Sequence, residues 1–224
     1  MWHLDISNTS SIPNVGSIRA VPAAGMPAPA GLAIFSFRSG GVTVTQASVG
    51  AQSPGSSFRL YAEASGTAGQ AGSIQSGLAV ANASASAANV TLELTRLDGS
   101  STGLTGTLSI PPNGQASSFL SEIQGLSGLQ TPFQGVLRVS SSASISVVGL
   151  RGRYNERSDF LITTTPPINE AAASVSTALF FPHLADSGGY ATQFVIFSGL
   201  PGLSSSGTLQ LFSQSGQALG IALR

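Results

Sequence analysis

The residues best able to do chemistry lie together in the stretch 151–159. Three arginines, a tyrosine and two carboxylates occur there: Arg151, Arg153, Tyr154, Glu156, Arg157 and Asp159. Guanidinium groups form paired hydrogen bonds with carboxylates and other planar acceptors, and an aromatic face suits a sugar ring. The cluster therefore favours a polar ligand site, with polysaccharide as the candidate ligand. A plainer interpretation stays open, in which the arginines pair with the two carboxylates along a solvated hairpin.

A second candidate pair is His183 and Asp186, which could act as two metal ligands or as an acid and a base. The other histidine of the chain is His3, in a polar stretch without periodicity. A zinc site needs three or four ligands, and no spacing in the sequence provides them. We therefore interpret the string HLADSGG (183–189) as a tight turn in which the Asp186 carboxylate accepts backbone N–H groups.

The sequence does not offer the motif and context of a serine nucleophile, a phosphate-binding loop or a thiolate metal site. Ser101 stands in a G-x-S-x-G string (99–103), but this string follows the Asp98-Gly99 turn signal between two predicted strands, so no serine sits in the strand-to-helix elbow of a nucleophile. The glycine-rich stretch 66–72 precedes a predicted strand rather than a helix, so it lacks the context of a phosphate loop. The chain has no cysteine, which excludes disulfides and thiolate metal sites. We expect no enzymatic activity, no cofactor and no metal site.

The composition limits the kinds of partner that the chain is expected to bind. The 224 residues include nine basic residues, all arginine, and nine acidic ones, so the net charge is zero and only 8% of residues are charged. Nucleic acid is disfavoured as a partner, because phosphate binding requires a basic face. No apolar run reaches the roughly 18 residues of a membrane-spanning helix, so no membrane insertion is expected. The first residues, MWHLDISNTS, do not have the pattern of a signal peptide.

The elements that position the cluster are predicted to be strands. Apolar residues alternate with polar or small ones at Val90, Leu92 and Leu94 and over 136–139, 145–150 and 160–165. Between 58 and 167 about seven such strands are separated by turn signals, which is typical of a β-sandwich. Further strands are predicted at the two ends of the chain, at 17–21, 31–37, 42–45, 190–197 and 207–214, with 46–57 as a loop. The pattern thus predicts an all-β, antiparallel chain.

An internal repeat divides the chain. Residues 16–45 match 135–164, including the start G-x-[IL]-R-[AV], while 192–199 and 207–216 match 76–83 and 90–99. We interpret 1–57 as the back half of a sandwich unit, 58–167 as a complete unit and 178–224 as a front half that pairs with 1–57. The fold would then be two immunoglobulin-like sandwiches, one contiguous and one assembled from the two ends. Chance similarity between β-hairpins is the alternative.

The runs VVGLRGRYNERSDFLITTTPP (147–167), FFPHLADSGGYATQFVIFSG (180–199) and SSSGTLQLFSQSGQ (204–217) carry a resemblance. They resemble the immunoglobulin-like repeats of uncharacterised exported bacterial β-sandwich proteins. The resemblance covers most of the chain from about residue 31. It implies an extracellular or cell-surface setting and a structural or adhesive role.

These observations together predict a non-enzymatic structural or adhesion module of an exported bacterial protein. The first alternative is a carbohydrate-binding β-sandwich that uses the arginine and tyrosine cluster. The second is a subunit of a head-to-tail fibre, in which one chain's front half takes the next chain's back half. Loop-closure entropy grows slowly with length, which favours closure within one chain. Expected partners are other domains of the same or neighbouring chains, and polysaccharide in the first alternative.

Overall fold

The computed structural model describes residues 3–6, 10, 12–172, 178–203 and 207–220, and they are almost entirely β. No helix among these residues is long and apolar enough to cross a membrane. Two single-turn 3-10 segments span Leu120–Glu122 and Glu170–Ala172. The strands, all paired antiparallel, are β1 (Leu32–Ser39), β2 (Val42–Gly50), β3 (Gly55–Ser65), β4 (Ile74–Asn82), β5 (Ala88–Arg96), β6 (Ser101–Ile110), β7 (Gln115–Phe119), β8 (Phe133–Tyr154), β9 (Phe160–Thr165) and β10 (Ile168–Asn169).

The 22-residue strand β8 organises the larger, eight-stranded sheet. Its first half, 133–141, lies between β3 and β5. Its second half, 145–154, lies between β4 and β9. The sequence pattern predicts two short strands here, whereas the structure joins them into one strand that serves both halves of the sheet.

The two ends of β8 lie close together. Phe133 pairs with Ala64 at the end of β3, while Arg153 pairs with Ile74 at the start of β4. Ile74 in turn pairs with Ser65, the neighbour of Ala64, across the β3–β4 hairpin. About twenty fully extended residues would span roughly 65 Å. The strand must therefore bend back on itself near its middle.

The bend coincides with the serine-rich run SSSAS at 140–144. Ser141 Oγ accepts the N–H of Ala143 at 3.2 Å, and Ser142 Oγ accepts the N–H of Asn89 at 3.0 Å. Hydroxyls that satisfy backbone N–H groups offer the chain an alternative to a regular ladder. The small side chains also leave the two halves of β8 free to turn toward each other.

One apolar cluster joins both halves of β8 to the strands around it. Every second residue of these strands points into the cluster, as the alternating sequence pattern predicts. Its members come from five strands and from the connection 120–126, and those exposed by 2% or less include Phe58, Leu60, Leu78, Val80, Val90, Leu92, Leu94, Ile110, Leu126, Leu137, Val139, Ile145 and Val147. The prediction of an all-β, antiparallel chain is confirmed.

The N-terminal segment, residues 16–50, contributes a separate two-stranded sheet made of β1 and β2. The predicted strands at 31–37 and 42–45 form, but the one at 17–21 does not. The returning strand continues to Gly50 and β3 begins at Gly55, so most of the predicted loop 46–57 is strand. Local alternation alone did not reveal this extension, because the pairing with β1 creates it.

The C-terminal segment, residues 178–203 and 207–220, differs from its sequence pattern. The predicted strands at 190–197 and 207–214 do not form among the described residues, where two isolated bridges occur instead, Ser187–Tyr190 and Phe212–Ala218. A strand needs a neighbour for its N–H and C=O groups, and neither stretch has a ladder partner in this part of the structure. The assembly of 1–57 with 178–224 into a second sandwich stays a prediction.

The buried β8 residue Leu137 gives a test of this architecture. We expect Leu137→Ala to lower the free energy of unfolding by about 2–5 kcal/mol, because it removes methyl groups from a packed core and leaves a cavity. Leu97→Ala, at a half-exposed leucine in the β5–β6 turn, should change it by less than about 0.5 kcal/mol. Urea unfolding followed by far-UV circular dichroism measures both. Equal effects would contradict the assigned core.

Candidate functional site

The residues of the predicted ligand cluster lie in the connection between β8 and β9 and in the adjacent end of β8. Buried Asn155 closes this hairpin: its Oδ1 accepts the backbone N–H groups of Arg157 at 2.9 Å and Asp159 at 2.8 Å. Its own N–H donates to the Asp159 carbonyl at 3.0 Å. Ser158 has a φ of 64°, in the left-handed region that tight turns use. The loop is therefore held in one shape from within.

Each arginine of the cluster contacts a carboxylate of the protein. Arg153 Nη2 lies 2.6 Å from Glu156 Oε1, and Arg157 Nε lies 3.2 Å from Asp159 Oδ2. Both pairs are exposed in part, so each contributes little to stability. These ion pairs are the ones expected if the cluster is a solvated hairpin rather than a ligand site. The polysaccharide site stays a prediction.

The third arginine leaves the hairpin and joins the sheet. Arg151 Nε lies 3.1 Å from Glu63 Oε2 on β3, and the Glu63 side chain is largely buried. The Tyr154 ring lies 5.1 Å from the Phe160 ring, tilted by 50°. Phe160 also meets Phe119 edge-on at 6.0 Å. One face of Tyr154 is thus used for packing within the protein.

Asp159 is the carboxylate whose protonation this loop affects most clearly. The hydrogen bond from Asn155 Nδ2, at 2.9 Å, holds the pKa of Asp159 below its ordinary value. The nearby Arg157 guanidinium lowers that pKa further. Both interactions favour the charged carboxylate, as hydrogen bonds and opposite charges do in general.

A second polar cluster, which the sequence pattern does not reveal, lies on the outward face of β3, β8 and β5. Arg59, Arg138 and Glu93 stand side by side in a cross-strand row. Arg138 binds both oxygens of Glu170, with Nε to Oε1 at 2.8 Å and Nη2 to Oε2 at 3.0 Å, and its Nη1 lies 3.3 Å from Glu93 Oε2. These four residues form the Arg138 cluster. Its formal charges cancel.

Two side chains beside this bidentate pair are buried without a full set of partners. Arg59 is only 8% exposed, and its Nε has no hydrogen-bond partner among the residues that the structure describes. Burial lowers the pKa of Arg59, while Glu170 opposes that shift. Tyr61 lies two residues further along β3, and its hydroxyl is also buried without a hydrogen-bond partner among the described residues. Burial raises the pKa of Tyr61, and the nearby Glu63 carboxylate raises it further.

The Arg138 cluster fixes the position of the chain after β9. Glu170 belongs to the 3-10 segment that follows β10, and β10 pairs with β3 at Arg59 and Phe58. The bidentate contact therefore clamps the start of the connection to the C-terminal segment onto the first half of β8. Charge-assisted paired hydrogen bonds of this kind are among the stronger polar contacts in proteins.

The other predicted site does not gather ligands. No group of three or more His, Asp or Glu side chains suited to a metal occurs within the described ranges. A turn does form next to His183 and Asp186, with the Tyr190 N–H donating to the Ser187 carbonyl at 3.1 Å. Ser187 Oγ donates to Asp186 Oδ2 at 3.4 Å.

A shallow cleft of about 250 Å³ lies beside the buried carboxylate that binds Arg151. Small-molecule sites in proteins usually enclose roughly 300–1,000 Å³, so this cleft is smaller than a typical site. Its lining mixes one charged residue with small and apolar ones: Glu63, Ala64, Ser65, Pro132, Phe133 and Gln134.

Comparisons with known proteins give little likeness. No family model matches the chain, and no curated protein matches it significantly. One solved structure, titled "Crystal Structure of Thermotoga maritima 1070", is similar with a TM-score of 0.41 at 11% sequence identity; the match covers 51% of this chain and 93% of that one. No family assignment follows from it.

The clamp at Glu170 can be tested against a matched exposed pair. We expect Glu170→Gln to lower the free energy of unfolding by about 1–3 kcal/mol, because Arg138 then keeps Glu93 alone as a charged partner and the buried Arg59 loses the nearby Glu170 charge. Glu156→Gln, which removes the exposed partner of Arg153, should cost less than about 0.5 kcal/mol. Urea unfolding of the two variants measures the difference. Similar losses in both would contradict a special role for the clamp.

The loop at Asp159 predicts a pH effect. Because the pKa of Asp159 is lowered in the folded protein, its contribution to stability is present above the unfolded pKa and is lost as pH falls through the folded pKa. We expect Asn155→Ala to raise the pKa of Asp159 more than Arg157→Gln does, since the amide hydrogen bond is the larger cause. Carbon-detected NMR titration of the carboxyl group measures both shifts. The reverse order would show that the ion pair dominates.

Proposed function

We propose that this chain is a non-enzymatic structural or adhesion module of an exported protein, which joins neighbouring domains through its two ends. The observation that carries the proposal is the contrast between a closed core and exposed apolar ends. The core residues of 58–147 are shielded from solvent, whereas Ile34 and Phe37 on β1 are 65% and 56% exposed and Phe180 is 88% exposed.

The N-terminal sheet has apolar side chains on both faces of β1. Leu32 and Ile34 share one face, and Phe35 and Phe37 share the other, since successive residues of a strand alternate. Burying one such side chain is worth about 1.5–3 kcal/mol. The sheet is held on β9 through β2, whereas every residue of β1 is exposed. The exposed apolar side chains of β1 therefore favour a partner that covers the sheet, as a module in an array would have.

The immunoglobulin-like sandwich is part of the proposal. The bend in β8 and the single core between its two halves support a two-layer arrangement for residues 55–169. A second sandwich would be made by the N-terminal and C-terminal segments. The extracellular or cell-surface setting of a bacterial protein rests on the resemblance of residues 147–167, 180–199 and 204–217.

The arginine cluster supports a structural role over carbohydrate binding. Arg151, Arg153 and Arg157 each contact a carboxylate of the same chain. A sugar would have to replace those contacts or share them. The ring of Tyr154 also packs on Phe160, which reduces the aromatic surface open to a ligand.

Association through the exposed sheet tests the proposal. We expect the weight-average sedimentation coefficient to rise with protein concentration, because contact between copies covers the apolar faces of β1. Replacing Ile34 and Phe37 with serine should lower that rise, while Leu97→Ser, at an exposed leucine away from β1, should not. Sedimentation velocity measures all three proteins.

A concentration-independent monomer of 22.5 kDa would contradict association. The carbohydrate alternative has its own readout on a glycan array. Binding that is lost in Tyr154→Ala would overturn the structural proposal in favour of that alternative. No glycan binding together with β1-dependent association is the expected pair of results.

A further inference from the structure

We infer that the C-terminal segment of one chain pairs with the N-terminal segment of a second copy, in the same way that β5 pairs with β8 in the central part of the chain. This inference rests on the proposed structural function and names its partner. The occupant of the exposed N-terminal segment is thus another copy of this chain, and the contact is head to tail.

The repeat identifies which residues correspond. Residues 16–45 match 135–164, which contain most of β8 and β9, and 192–199 and 207–216 match the regions of β4 and β5. In the central part of the chain these matched regions are partners: β4 and β5 both pair with β8. The β8 residues 135–140, which pair with β5, correspond to 16–21, whereas those that pair with β4 correspond to 26–34, where Pro27 and Pro29 cannot donate to a ladder. The two ends of the chain therefore carry the two sides of the β5–β8 pairing.

Burial shows that these ends lack this pairing. Leu137 of β8 is 1% exposed, and its counterpart in the ungapped match, Ile18, is 78% exposed. Val80 of β4 is fully buried, and its counterpart Ile196 is 59% exposed. Ile18 and Ile196 are thus open to solvent, while Leu211, the counterpart of buried Leu94, is half-buried. A partner of the same shape would cover all three.

The match also gives the register. Leu94 pairs directly with Leu137, and their counterparts are Leu211 and Ile18. The neighbouring pair Glu93 and Arg138 corresponds to Gln210 and Arg19. A glutamine amide oxygen can accept a hydrogen bond from a guanidinium group, so the polar face of the pairing is complementary as well.

The lack of a ladder between the two segments within the described part of one chain favours a second copy over closure. The N-terminal segment is held on β9, where Thr45 Oγ1 accepts the Ile162 N–H at 3.1 Å and donates to the Ile162 carbonyl at 3.2 Å. The C-terminal segment follows Glu170, which is clamped to Arg138. Among the described residues the two segments form no ladder with each other.

A contact between unlike surfaces repeats from copy to copy. The donor surface is the C-terminal segment and the acceptor surface is the N-terminal one, so a pair of copies keeps one free surface of each kind. Such a heterologous contact produces an open chain unless its rotation closes a ring. Added strands gain main-chain hydrogen bonds along the whole contact.

Cysteine cross-linking tests the register and the partner, because the chain has no cysteine of its own. Two single variants, Ile18→Cys and Leu211→Cys, are purified separately, mixed and oxidised mildly. Directly opposed residues of antiparallel strands have Cα atoms about 4.5–5.5 Å apart, within the range of a disulfide. We expect a disulfide-linked heterodimer. It should be absent when Arg19→Cys replaces Ile18→Cys, since that side chain points to the other face.

Sedimentation velocity of the wild-type chain separates the possible failures. Association without the heterodimer would overturn this inference and leave the proposed function standing. A doubly substituted chain, Ile18→Cys with Leu211→Cys, that cross-links only within itself would overturn the second copy and establish closure within the chain. No association and no cross-link would overturn both proposals.

Discussion

The backbone pairing of β8 is the interaction on which the rest of the structure depends. This strand gives hydrogen-bond partners to β3, β4, β5 and β9, and its inward side chains enter the single apolar core. A buried N–H or C=O without a partner costs free energy comparable to a lost hydrogen bond. Four strands therefore need β8, while β6 and β7 reach it only through β5 and β4.

Contacts on the outward face of β8 also fix the position of the chain after β9. Arg138 lies between the core residues Leu137 and Val139, so its side chain must leave on the opposite face, where it meets Glu93 and Glu170. Removing charges from water is costly, and a partly buried pair repays that cost only with good geometry. The bidentate contact provides such geometry. The fold of the central part thus also decides where the C-terminal segment begins.

The sequence predicts local features better than pairing. Alternation at Val90, Leu92 and Leu94 correctly indicates a strand with one buried face, because that property depends on the residues themselves. The continuity of β8 through 140–144 depends on its pairing with other strands. The position of Arg59 beside Arg138 likewise depends on the register between β3 and β8, which joins residues far apart in sequence. The hairpin at 155–159 is intermediate: its residues and ion pairs can be predicted, but the internal closure by Asn155 requires the turn geometry. The clamp at Glu170 has no local signal at all.

The C-terminal segment shows why strand prediction from local pattern has a physical limit. Residues 190–197 and 207–214 are predicted strands that match the regions of β4 and β5, yet among the described residues they form no ladder. The difference is the partner, since β4 and β5 lie against β8 and their counterparts have no such neighbour. A strand is stable as a member of a pair, through cross-strand contacts and shared hydrogen bonds. The local pattern of this segment is therefore not sufficient for a strand, and the N-terminal stretch 17–21, which also forms no strand, supplies no ladder partner within the described residues.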